Sequence, residues 1–342
     1  MTGIFQFVSL VLNNHYYPIL IVLAFIALAF SKNRKALIVS LILVTLLTPA
    51  LKGFYHEERP CNSIPSIVDC RDFGFPSGHA ITAVLLAAAT LGTYAFFFFL
   101  PTAFTIAFSR IYLGVHDLNQ LAGGISLGLF VFFVLERFHQ SRFGEKIKGK
   151  KADSEFGRQI LHILGGFGVL GLLLHFGPNS NGIMFTELFV LAALIFGMLL
   201  INLKLLKAKL GPIDYLLGKY ERIGDFSGRG ALLYVIGVLL LLSYSRDSSF
   251  LLGALAIFAT GDAFSTIIGI KYGTHKLSWN KKKSLEGTFA FFAASSIASF
   301  MFMGPIAIVY SAILALIESL DIQIDDNLLI PISALMLNIF IG

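Results

Sequence analysis

Between Lys52 and Gln120, apolar sequence is interrupted three times by groups with no structural use there: Lys52-x6-Arg59-Pro60, Pro76-Ser77-Gly78-His79, and Ser109-Arg110-x5-His116. Polar groups are costly inside a membrane and by default mark a site. Three cations and two imidazoles suit a dianionic phosphate, which needs charge neutralisation, a nucleophile and a proton donor. Ser77 can cap a helix, Gly78 permits close approach, and the N–H groups exposed at such a start favour an anion. Ser and Gly at a helix start are routine; the three spaced pieces together carry the signal.

A second group of polar residues follows much later. Thr260-Gly261-Asp262-Ala263 sits inside an apolar run, followed by Gly273-Thr274-His275-Lys276 and Asn280-Lys281-Lys282-Lys283-Ser284-Leu285-Glu286-Gly287. An aspartate for a metal, with cations and N–H donors at a new helix start, is what a metal-bound nucleotide polyphosphate needs. Alone, Lys281 to Lys283 read rather as topogenic charges, and Asp262 tips the balance. Arg158-x3-His162, Glu318 and Asp325-Asp326 extend the group. His162 reads equally as a packing histidine, and the aspartate pair as a turn capping the last helix.

The elements that must position these groups are membrane helices. Of the 342 residues, 56% are hydrophobic and 13% charged, and mean hydropathy is +0.80. That is far more apolar than a soluble domain and predicts an all-α polytopic membrane protein. The +6 charge falls in short clusters between apolar runs, which fits the positive-inside pattern and argues against nucleic acid as a partner. Met1 to Asn14 is too short to span and lacks a basic n-region, so it reads as an interfacial helix rather than a signal peptide.

Apolar spans are expected at about 17–30, 36–51, 80–100, 102–113 and 121–135, then 160–176, 183–203, 231–244, 250–270, 289–303, 306–320 and 328–341. These make two helical transmembrane domains of about five plus seven spans, without similarity between them: 1–137, a basic cytoplasmic linker at 138–156, and 157–342. Of the 26 basic residues, 21 fall in alternate loops, which are assigned to the cytoplasm. Alternation then carries Lys52, Arg59, Ser77, His79, Arg110 and His116 to the opposite face, and the Asp262–Gly287 group to the cytoplasmic one. Cys61 and Cys70, the only cysteines, share an external loop where they can oxidise to a disulfide.

On the first three motifs, roughly Tyr17 to Arg137 resembles the type 2 phosphatidic acid phosphatase superfamily. The resemblance implies His116 as a nucleophile forming a phosphohistidine and His79 as general acid, with Lys52, Arg59, Ser77, Gly78 and Arg110 binding phosphate and no cofactor. The family has an aspartate four residues after the nucleophile, where this chain has Gln120. Gln120 can still accept a hydrogen bond from the imidazole, and Asp117 is a possible substitute of different geometry.

From about Arg158 onward, Gly261-Asp262 to Gly287 and Asp325 to Pro331 resemble the dolichol kinase and phytol kinase family. This implies phosphorylation of an isoprenoid alcohol from CTP, with ATP as an alternative and Mg²⁺ or another divalent cation. Asp262 with Asp325 or Asp326 would hold the metal; Lys281, Lys282, Lys283, Ser284 and Gly287 would bind the nucleotide. The combined expectation is a bifunctional plasma-membrane enzyme whose substrates are a (poly)prenyl phosphate or diphosphate and a (poly)prenol-type alcohol. The competing readings are a kinase with a degenerate phosphatase half, the same chemistry on diacylglycerol-, archaeol-, phytol- or geranylgeraniol-type lipids, and a lipid transporter.

Overall fold

A computed structural model describes residues 2–63, 68, 70, 72–141, 152–211, 214 and 226–341. The protein is an all-α polytopic membrane protein. The chain divides into two compact units, Met1–Gly144 with Met198–Ala208, and Glu145–Gly197 with Lys209–Gly342. Arg142, Lys219 and Arg222, along with most of the expected linker, lie outside the described residues.

The first unit contains α1 (Thr2–Asn14), α2 (Tyr16–Phe30), α3 (Arg34–Tyr55), α4 (Gly78–Ala89), α5 (Phe96–Tyr112) and α6 (Leu118–Ser141). α1 meets α2 at 87° and packs on α5, as an interfacial segment should. The middle helix is α4, buried from Ala80 to Ala89 except Thr82, and packed by α2, α3, α5 and α6. Its closest neighbour is α6, because a Cβ on Gly124 would lie 2.6 Å from the Ser77 carbonyl oxygen and one on Gly128 2.7 Å from that of Ile81. At 12 residues, α4 is about 18 Å long, too short to cross a bilayer alone.

One expected boundary is wrong. The break between the third and fourth spans falls at 90–95, where Gly92 adopts a positive φ of 78°, and Pro101 lies inside α5. The Phe-rich run Phe96–Phe99 therefore belongs to α5, where Phe96 and Phe99 are buried.

The second unit contains α7 (Ala152–Phe176), α8 (Ser180–Leu205), α9 (Arg229–Tyr244), α10 (Ser248–Tyr272), α11 (Leu285–Met303), α12 (Ile306–Ser319) and α13 (Asp326–Ile341). The end of α8 clusters with the first unit. α10 is the central helix, packed by α7, α9, α11, α12 and α13 and buried without interruption from Phe250 to Ala263. It is capped by Asp247, which accepts from Ser249 N at 2.9 Å and Phe250 N at 3.1 Å. Six described helices are long and apolar enough to span, or seven if α1 and α2 form one bent span; five more are apolar but shorter.

Candidate active sites

The first site forms where α3, α4 and the α5–α6 connection meet the loop after α3. Lys52, in the last turn of α3, and Arg59 both pair with Asp72. Arg59 Nε also donates to the Asp72 carbonyl at 3.0 Å. The two cationic side chains are only 14% and 11% exposed, against 55% for Asp72. Asp72 thus bridges two partly buried cations from the solvent side. The loop carrying it is closed by a Cys61–Cys70 disulfide with Cα atoms 6.3 Å apart.

Ser77 precedes α4 but makes no side-chain cap, contrary to the role expected of it; its Oγ is buried without a hydrogen-bond partner. His79 Nε2 is in the same condition, its ring lying 3.7 Å, centroid to centroid, from that of Tyr16, whose hydroxyl bonds Thr82. Gly78 opens α4, and a Cβ there would meet only Thr48, at 3.6 Å. Arg110, 2% exposed, gives one nitrogen to Asn13 Oδ1 at 3.0 Å, while its Nε and Nη1 stay buried without partners. Lys52, Arg59 and Arg110 all act electrostatically on both His79 and His116. Buried polar atoms left unpaired are rare because each costs about 1–3 kcal/mol. Here four such atoms occur at or beside two imidazoles, a donor-rich arrangement suited to a phosphate.

His116 lies in the α5–α6 connection, 2% exposed, with Nδ1 2.9 Å from Gln120 Oε1. Burial first, and then the Arg59 guanidinium, with smaller effects from Arg110 and Lys52, hold its imidazole well below the ordinary histidine range. The Gln120 hydrogen bond opposes them. Asp117 does not take the orienting role considered for it. Its Oδ1 accepts from Gln120 N at 2.8 Å and caps α6.

The second site forms around α10. Asp262, Glu318 from the end of α12 and Asp326 from the start of α13 each offer a carboxylate oxygen, all within 4.8 Å of one another. Lys283 pairs with Glu318 and lies 3.1 Å from Asp326. Glu318 also accepts from Ser265 Oγ at 2.9 Å, yet its Oε2 is buried without a partner. Three carboxylates face one ammonium. With the unpaired oxygen, that donor set fits a hard divalent cation, and it includes Glu318, which the expected metal set did not. Asp325 instead caps α13, its Oδ1 accepting from Asn327 N at 3.0 Å.

The lysine cluster is divided. Burial opposes the charge of Lys283, but Asp326, Glu318 and Asp262 outweigh it and hold its proton above the usual lysine range. Lys281 is exposed, and Lys282 reaches only exposed Asp321, at 3.3 Å. Ser284 caps α11 by accepting from Gly287 N at 3.2 Å. The loop before it is stitched by Glu286, which accepts from Thr274 Oγ1 at 2.7 Å and faces His275 Nδ1 at 2.6 Å. His162 on α7 lies edge-on to Tyr234, ring centroids 4.0 Å apart, and also packs on Phe258.

Asp72 and Glu57, whose Oε1 accepts from Gln120 Nε2 at 3.3 Å, were missed from the sequence; Glu57 lies within the Lys52-x6-Arg59 piece and Asp72 between that piece and Pro76. With this geometry established, comparison with known proteins identifies both regions. Residues 35–143 match the PAP2 superfamily. The chain joins this PAP2 region to a region homologous with phytol and farnesol kinases. It is 29% identical over 167 residues to phosphatidylglycerophosphatase B of Bacillus subtilis, covering 43% of this chain and 78% of that protein. It is 27% identical over 212 residues to the chloroplastic farnesol kinase of Arabidopsis thaliana, covering 56% of this chain and 67% of that protein. An uncharacterized protein of Methanocaldococcus jannaschii is 39% identical over 106 residues, or 30% of this chain, which spans about half (54%) of that relative's length. No solved structure gives a significant match.

Proposed function

We propose that the protein is a bifunctional lipid-phosphate enzyme of the cell membrane. The first unit removes phosphate from a (poly)prenyl phosphate or diphosphate, and the second phosphorylates a (poly)prenol-type alcohol. The observation that carries the first activity is the cluster of unpaired, buried donors, Ser77 Oγ, His79 Nε2 and the Arg110 guanidinium, about His116. Lys52, Arg59 and Arg110 bind the phosphate oxygens as Asp72 gives way. His116 Nε2 attacks phosphorus, the bond to the lipid oxygen breaks, and His79 gives that oxygen its proton. Water then attacks the phosphohistidine, gives a proton to His79, and frees phosphate and His116.

The second activity is supported by the carboxylate triad Asp262, Glu318 and Asp326 with Lys283 between two of its members. These carboxylates would hold a divalent cation, which when bound neutralises nucleotide phosphate charge. Lys283, with Lys281, Lys282 and the start of α11, lies where triphosphate oxygens would need cations and N–H donors. CTP is the favoured donor, with ATP the alternative. The alternate-loop distribution of Lys and Arg supports an external phosphatase site and a cytoplasmic kinase site. With the diphosphate as the phosphatase substrate, both activities then yield the same polyprenyl monophosphate, one from each side.

The test uses purified protein in detergent with polyprenol, polyprenyl diphosphate, Mg²⁺ and labelled CTP or ATP. His116→Ala is expected to remove phosphate release alone, and Asp262→Ala lipid phosphorylation alone, each by about 10³-fold or more. Loss of both activities in either variant defeats the two-site reading. Accessibility labelling of cysteines substituted near His79 and Lys282 checks sidedness; one shared compartment defeats the split between faces.

A further inference from the structure

Gln120 supplies an amide where a carboxylate is expected, yet its surroundings restore a charge. Its Oε1 lies 2.9 Å from His116 Nδ1. On the other side, its Nε2 lies 2.8 Å from the Glu58 carbonyl oxygen and 3.3 Å from Glu57 Oε1. Those two acceptors leave the amide one orientation. Turned over, it would set its oxygen against a carbonyl and a carboxylate, and so the NH₂ group must face them and the oxygen must face the ring. An oxygen can only accept there, so Nδ1 carries the His116 proton and Nε2 keeps a bare lone pair for attack.

We propose that Glu57 is a positioning residue of the phosphatase site. Acting through Gln120, its carboxylate joins the Glu58 carbonyl in fixing the His116 tautomer and supplies, one hydrogen bond further out, the negative charge that supports the developing phosphohistidine. The chain of three is held from several directions. Gly74 N donates to the Glu57 carbonyl at 2.7 Å, and a Cβ on Gly74 would fall 2.4 Å from the Gln120 amide. Ser77 N donates to the Gln120 carbonyl at 3.0 Å, and Gln120 is fully buried, so water does not compete for its side chain. The inference rests on His116 as the nucleophile of the proposed phosphatase.

The experiment uses full-length protein in detergent with farnesyl diphosphate. Glu57→Gln keeps the shape and removes the charge; it is expected to lower kcat about 10- to 100-fold with KM within about twofold. Adding Gln120→Asp puts a carboxylate directly on the ring and is expected to bring kcat back to within about threefold of the unsubstituted enzyme. A Glu57→Gln kcat within about twofold of the unsubstituted value overturns the proposal. So does failure of rescue at unchanged melting temperature, since that outcome gives Glu57 only a structural part. Nitrogen-15 spectra of histidine-labelled protein need no turnover. They are expected to show His116 protonated at Nδ1 in the unsubstituted protein and in Glu57→Gln, where the Glu58 carbonyl still holds the amide, with the imidazole's proton affinity lower in Glu57→Gln; protonation at Nε2 in the unsubstituted protein, or an unchanged proton affinity in Glu57→Gln, overturns the proposal. If the Nδ1 tautomer and the lowered proton affinity in Glu57→Gln are seen but no phosphate is released, Glu57 keeps its role and the phosphatase reading falls.

Discussion

The two sites are electrostatic opposites. In the first unit Lys52, Arg59 and Arg110 converge and a single carboxylate, Asp72, bridges two of them. In the second, Asp262, Glu318 and Asp326 converge and a single ammonium, Lys283, bridges two of them. Each site therefore carries a counter-ion from its own chain at the position its ligand would need. The difference lies in order of assembly. A cationic site can take a phosphate directly, whereas an acidic one repels nucleotide phosphates until a metal has reversed its charge.

That contrast is broken most severely by removing divalent cations. With chelator present, lipid phosphorylation is expected to fall about 10³-fold or more while phosphate release stays within about twofold. Equal loss in both assays would erase the distinction. Returning Mg²⁺ is expected to restore phosphorylation fully.

Lys283→Met sharpens the same comparison. It removes the ammonium competing for Glu318 and Asp326 and a positive charge from the nucleotide's surroundings. Divalent-cation affinity is expected to rise about 3- to 10-fold while nucleotide KM rises about 10-fold or more. Isothermal titration with the metal alone and steady-state kinetics separate the two effects. Changes in the same sense, tighter or weaker for both ligands, would show that Lys283 is not a counter-ion shared between them.

Much of this was legible in sequence because ionisable residues in apolar runs have few innocent explanations. Lys52, Arg59, Ser77, His79, Arg110 and His116 stand at helix ends at motif spacing, and all meet in the structure. Among the described residues, the twelve helices after α1 also follow the expected order. The failures share a cause, which is that local sequence does not record long-range partners. Pro101 looked like the break between spans, but a proline near the start of α5 is accommodated and the chain turns at Gly92. Glu318 pairs with a lysine 35 positions away, and Glu57 reaches a glutamine 63 positions away. Asp325 and Asp326 could not be separated by pattern; capping assigns the first to the helix, and metal-type geometry the second.

Asp72→Asn is the corresponding test in the first unit and is expected to have a smaller effect, because Asp72 is more than half exposed and exposed pairs are weak. Releasing Lys52 and Arg59 from their internal partner should lower KM for prenyl diphosphate, and Ki for inorganic phosphate, by about 3- to 10-fold with kcat little changed. A raised KM would instead make Asp72 part of the binding surface.

The smallest expected effect is a displaced pH limb. Burial and Arg59 favour neutral His116, so its folded-state proton affinity lies below the ordinary value of 6.5. As pH falls through that value the unfolded chain takes up a proton that the folded site refuses, and stability declines. Activity behaves differently: kcat/KM for phosphate release should persist as pH falls through 6.5, with its acid limb at lower pH. Arg59→Gln removes one of the two leading causes, so the limb should move up toward the ordinary histidine range, by less than one pH unit since burial remains the larger cause. A limb already at 6.5 in the unsubstituted enzyme would mean that solvent reaches His116 during turnover and that the buried geometry is not the reacting one.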